Sequence, residues 1–135
     1  MLMGVNKYNS EKYHDPTAFE ALSNIKKEAS MFLPLVYICS PYSGNVEKNV
    51  EAAKQYCRFA VDQKAIPIAP HLLYPQFMDD EKERELVRVI NKVLIGKCEE
   101  VWVFGQELSP GMAYEVEKAK KYKKTIRYFG EAQHV

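Results

Sequence analysis

Cysteine is scarce: Cys39, Cys57 and Cys98 are the three in 135 residues. They are too few and too scattered for a disulfide framework, and no pair has the spacing of a metal site. Cys57 and Cys98 fall on apolar positions, so buried reduced thiols are expected. An excess of one charge is also missing. The formal net charge is +1, which excludes a broad field that would draw a nucleic acid polymer or an anionic membrane. The basic cluster Lys118 to Lys124 has acidic neighbours and reads as a solvated helix face. No apolar run approaches membrane-spanning length, no signal-peptide pattern opens the chain, and there is no internal repeat or low-complexity segment. A reducing cytoplasm is the expected setting.

What is present is 47% hydrophobic and 27% charged residues, the balance of one small folded domain. Residues 1–33 read as an N-terminal arm. Within it, Asp15-Pro16-Thr17 caps a short amphipathic helix through Phe19, Leu22 and Ile25. From Pro34 onward strand and helix alternate. Leu35–Cys39, Ala65–Pro70, Glu100–Phe104 and Thr125–Phe129 are short apolar runs of strand length. Helical spacing recurs from Val46 through Val50, Ala53, Cys57 and Ala60 to Val61. It returns over Asp80–Gly96, buried through Leu86, Ile90, Val93 and Leu94, and over Gly111–Lys123. This alternation predicts an α/β domain over 34–135: a Rossmann-like, flavodoxin-like parallel sheet with helices on both faces. Ligands of such sheets bind beyond the carboxyl ends of the strands. The loops 40–45, 71–79 and 105–111 should therefore share one rim.

Glu115 is the residue there that conflicts with its surroundings. Met112, Val116 and Ala119 form the apolar arc of the last helix, and Glu115 lies within or beside it, one turn from the N-terminus. A carboxylate so placed can serve as nucleophile or general base; the ordinary alternative is a first-turn glutamate paired with Lys118. Ahead of it, Ser109 can cap the helix, Pro110 suits its first position and Gly111 lets a ligand approach the backbone. The loop Ser40-Pro41-Tyr42-Ser43-Gly44-Asn45 puts hydroxyls, a ring and pliant backbone before a helix. It is neither a P-loop nor a dinucleotide fingerprint. His71 is a rim histidine or a structural one, and Tyr74, Gln76 and Phe77 could line a nucleobase. Asp79 and Asp80 read first as a helix cap. No second histidine or cysteine is near enough to suggest a metal.

Three stretches together resemble the nucleoside 2-deoxyribosyltransferase superfamily: Tyr37-Ile38-Cys39-Ser40-Pro41-Tyr42-Ser43-Gly44, Pro70 to Phe77, and Val101 to Gly105 followed by Ser109-Pro110-Gly111-Met112. The resemblance spans Pro34 to Phe129. It is greatest to a group of small bacterial and phage proteins of unassigned function (DUF4406-like). It implies that Glu115 attacks the anomeric carbon of a deoxyribosyl group, forming a covalent glycosyl-enzyme as in retaining glycoside hydrolysis. Ser109 stands where these enzymes have an aspartate, or a serine in the deoxynucleoside 5′-monophosphate N-hydrolases. Tyr37 and Cys39 also have counterparts. The resemblance implies a small nucleoside or nucleotide as partner, no cofactor, and a homodimer or higher homo-oligomer. Ser109 would serve with Glu115 in catalysis; Ser40, Tyr42, Ser43, Gly44, Ser109 and Gly111 would shape the sugar and phosphate side, with His71, Tyr74 and Gln76 on the base side, and Tyr37, Pro41, Asn91 and Met112 would complete the substrate-binding set. Two positions depart from the pattern. Asn91 replaces an aspartate that assists protonation of the leaving base, a role open to Asp79, Asp80 or His71. Ser43 replaces an arginine near the phosphate. A nucleotide-sensing module without catalysis, and an interaction protein with a filled-in rim, are the rival expectations.

Overall fold

The computed structural model describes residues 31–130 and the single position Ala21. The expected arm helix lies outside the described residues. The elements below belong to a compact unit that begins at Leu33. They are β1 (Leu35–Cys39), α1 (Val46–Asp62), β2 (Ile66–Ile68), α2 (Pro70–Leu73), a 3₁₀ turn (Tyr74–Gln76), α3 (Arg84–Lys97), β3 (Glu100–Phe104), α4 (Pro110–Lys121) and β4 (Thr125–Phe129).

The four strands form one parallel sheet in the order β2-β1-β3-β4. Alternation along the two central strands divides the core. Tyr37, Cys39, Val101 and Val103 pack against Ile95 within α3 and Cys98 just after it, and against Met112, Val116 and Ala119 of α4. Val36, Ile38, Trp102 and Phe104 face the other way, against Tyr56 and Ala60 of α1. There Phe104 is sandwiched between Tyr56 (ring centroids 4.2 Å apart) and Phe129 (5.0 Å). The α/β architecture with helices on both faces is thus the one that the alternating pattern dictates. Because β1 is flanked by β2 on one side and β3 on the other, the chain reverses its direction of travel across the sheet between these strands. A cleft opens at such a reversal.

Some expected boundaries shift. The loop foreseen over 71–79 is largely helical, because Pro70 and Pro75 each pre-set the first turn of a short helix. α3 starts at Arg84, not Asp80: Asp79 Oδ1 accepts from the Glu81 and Lys82 amides and holds 79–83 as a turn. The inward face of α3 is also rotated from the expected one. Leu86 and Val93 are half exposed, whereas Asn91 and Ile95 are buried. A stripe of apolar residues alone does not reveal that the buried face carries an asparagine. Val46 and Val61, at the ends of α1, are likewise exposed. Among the described residues no helix is long and apolar enough to cross a membrane.

Candidate active site

The loop after β1 is fixed by its own sequence. Asn45 caps α1 through the Lys48 amide at 3.1 Å. Asn49, one turn into α1, donates to the carbonyls of Tyr42 (3.0 Å) and Ser43 (2.9 Å). Gly44 takes φ +94°, a left-handed conformation that a side chain would strain. Ser40 is thereby held fully buried at the end of β1.

On the facing side, Ser109 caps α4, its Oγ accepting from the Met112 amide at 3.2 Å, with Pro110 in the first helical position. One turn later Glu115 is only 5% exposed. The Tyr37 hydroxyl donates to Glu115 Oε2 at 2.9 Å, and Asn91 Nδ2 reaches the same oxygen at 3.4 Å. The pairing with Lys118 is not formed; Lys118 Nζ lies 5.2 Å from the Tyr114 ring centroid instead. Burial pushes the Glu115 carboxyl up from 4.5 to about 7, against the opposing hydrogen bond from Tyr37 and then the pull of the neighbouring Cys39 thiol. Tyr37 is held well above its ordinary value by burial and then by the Glu115 charge, so it remains a donor. Burial also raises the Cys39 thiol, which lies 3.8 Å from the Met112 carbonyl. Cys57, half-buried, and buried Cys98 are each pushed up to about 11 by burial. All three cysteines are free.

Above Glu115 lies an open cavity of about 280 Å³. Ser40, Tyr42, Ser43 and His71 line one side, Ser109, Gly111 and Met112 the other, with Asn91 and Glu115 between. Among the described residues, three buried side-chain atoms lack any hydrogen-bond partner: Ser40 Oγ, Asn91 Oδ1 and Glu115 Oε1. All three belong to residues of this one cavity. Buried polar atoms are otherwise almost always satisfied, so their convergence marks a place built for a polar ligand.

His71 stacks on Tyr42, centroids 4.8 Å apart and planes 20° from parallel. Burial holds His71 below the usual histidine value, while the Asp80 charge and a hydrogen bond with the Ser40 backbone act the other way. Tyr74 and Pro75 line a second, small pocket that shares Tyr42, His71, Asp80, Val87 and Asn91 with this cavity. Gln76 is not brought in: its amide donates to the Leu72 carbonyl at 2.7 Å and it stays exposed. Pro41 and Gly44 shape the loop without lining the cavity. Asp79 is used by its turn, but Asp80 is on the lining. Val87 and Tyr114 line the cavity unforeseen, as do Arg84 and Arg88. Arg84, Arg88 and Asn91 stand at i, i+4 and i+7, one stripe of α3. That signal was readable only by taking Asn91, rather than Leu86, as the inward position. No group of three or more residues suited to holding a metal ion occurs among the described residues.

Fold and cavity together define an α/β domain with a carboxylate-centred cleft where its sheet order reverses. A family model described as a domain of unknown function, DUF7768, matches residues 34–129, and the chain belongs to that family. The matched family is DUF7768, which does not confirm the expected likeness to the DUF4406-like group. None of the curated proteins matches the chain. Among solved structures, the chain is similar to the 2-deoxyribosyltransferase from the psychrotolerant bacterium Bacillus psychrosaccharolyticus. The TM-score is 0.52 and the identity 22%, over 71% of this chain and 72% of that one. The likeness is one of fold.

Proposed function

We propose that this protein cleaves or transfers at the N-glycosidic bond of a nucleoside or nucleotide, with Glu115 as nucleophile. One observation carries the reading. Glu115 is buried at the cavity floor with Oε2 held by Tyr37 and Asn91, while Oε1 has no partner. Oε1 attacks the anomeric carbon as the C–N bond breaks, giving a glycosyl ester on Glu115. The base departs with the bond's electron pair and takes up a proton. Water or a second base then attacks the same carbon and restores the carboxylate. The hydrogen bonds on Oε2 orient the carboxylate, and the surrounding apolar wall keeps its charge poorly solvated and reactive. Ser109 sets the start of α4 and with it the position of Glu115. Asn91 carries no acidic proton, so protonation of the leaving base falls in this reading to His71 or Asp80, both on the lining.

The similar fold of a 2-deoxyribosyltransferase supports this reading at the level of reaction class. The half-exposed stripe Leu86, Val89 and Val93 on α3 supports a homo-oligomer, which size-exclusion chromatography with light scattering would register. The free thiols suit a reducing cytoplasm.

Asn91 also favours a second reading, a nucleotide-binding module without turnover. Incubating the protein with a panel of 2′-deoxynucleosides and their 5′-monophosphates, and following free base by chromatography, separates the two. Base release that Glu115→Ala reduces by about a thousandfold or more supports catalysis. Binding without release, retained in Glu115→Ala, supports the module.

A further inference from the structure

From the arginines on α3 we infer that the cleft receives a phosphate ester, with Arg84 and Arg88 binding its anionic group. The inference rests on the glycosidic reading and names its substrate class: a nucleotide, not a neutral nucleoside.

Arg84 and Arg88 both line the cavity that holds Glu115. Along the axis of α3 they stand about 10 Å and about 4.5 Å from Asn91, at 1.5 Å per residue. Asn91 touches Glu115, so the two arginines line the same cleft at successively greater distance along α3 from the carboxylate. They can take a group carried on the far side of a sugar whose anomeric carbon meets Oε1.

Among the described residues no acidic partner accounts for this pair. Like charges one turn apart repel by a few tenths of a kcal/mol, about 0.2–0.5. Arg84 is the first residue of α3, the end where the helix dipole disfavours a cation. Among the described residues neither arginine forms an ion pair. Arg88 is nevertheless oriented: its Cζ lies 5.4 Å from the Tyr114 ring centroid, a cation–π contact with another lining residue. Asp80, the remaining acidic side chain on the lining, acts on His71. Two unpaired, planar forks on one wall suit the paired oxygens of a phosphate.

Two further observations point to a ligand at that mouth. Ser40 Oγ and Asn91 Oδ1 are buried without partners in the same cavity. Gly111, second in α4, has ordinary backbone angles, and a Cβ there would meet nothing within 4 Å. The fold would accept alanine at that position; a ligand approaching the helix N-terminus would not. In this chain Ser43 stands in the first loop with no charge to offer, and the positive charge comes from α3.

The test compares a 2′-deoxynucleoside, its 5′-monophosphate and its 3′-monophosphate by isothermal titration calorimetry on the full-length chain, alongside base release. The expected result is a monophosphate, 5′ or 3′, bound about tenfold to a hundredfold more tightly than the nucleoside. That preference should fall as salt rises and collapse towards one in Arg84→Gln/Arg88→Gln. Arg84→Lys/Arg88→Lys, which keeps the charge without the fork, should retain part of it. Thermal melts check that the variants are folded. Equal affinity for nucleoside and monophosphates, or a preference that survives the Gln variant, overturns the arginine assignment even if base is released. Monophosphate binding that depends on the arginines, without release of base, supports it while removing the glycosidic reading. No binding of any of the three overturns both.

Discussion

The Tyr37 hydroxyl on β1 donates to Glu115 Oε2 on α4 across 2.9 Å, between residues 78 positions apart in the chain. It joins the two strand–loop–helix units that flank the reversal of the sheet. Tyr37 is itself buried and resists ionisation. The carboxylate therefore has a permanent neutral donor on one oxygen, and the other is left for chemistry.

Removing that donor should raise the proton affinity of Glu115. The Tyr37 bond lowers it against the larger effect of burial, so Tyr37→Phe should move the titration of Glu115 above about 7. Carbon-detected NMR of side-chain-labelled glutamate reads this without an assay. If base release requires the carboxylate, the acid limb of its pH profile should move the same way. A midpoint that stays put or falls would contradict the role given to Tyr37.

Glu115→Gln should stabilise the protein at alkaline pH. The folded value of about 7 exceeds the ordinary 4.5, so the native state binds the extra proton. Its stability therefore falls as pH rises from 4.5 to 7. At pH 8 the charged, buried carboxylate costs on the order of 3 kcal/mol, which the neutral amide avoids. Melting curves should diverge from those of the wild type as pH rises from about 4.5, stay furthest apart above about 7, and merge near pH 4.

Asn91→Asp should do the reverse. Its Nδ2 lies 3.4 Å from Glu115 Oε2, so a second carboxylate would face the first in a buried site. The pair would hold on to one shared proton. The variant should lose at least about 2 kcal/mol more stability at pH 8 than at pH 5, measured by urea unfolding. Equal losses at both pH values would show that the two side chains are not coupled.

Gly111→Ala should fold as well as the wild type or better, by up to about 1 kcal/mol of helix propensity, since the new methyl meets nothing within 4 Å. Ligand binding should weaken at least about tenfold if a substrate packs against this backbone. Calorimetry and thermal melts on the same sample distinguish the two effects.

The amino-acid sequence by itself determined the order of elements and the class of fold. Short apolar runs such as Leu35–Cys39 and Glu100–Phe104, helical runs between them, and the Ser109-Pro110-Gly111 start are local signals that need no distant partner. Glu115 was legible for the same reason, as a charge among Met112, Val116 and Ala119. Tertiary structure decided what local pattern cannot encode. The rotation of α3 hides Asn91 and exposes Leu86 and Val93, since the inward face is chosen by what the sheet offers and not by a count of apolar residues. It also brought Arg84 and Arg88 to the cleft. Tyr37 and Glu115 met only when the sheet closed between them, because a hydrogen bond over 78 residues exists only once the whole domain is folded.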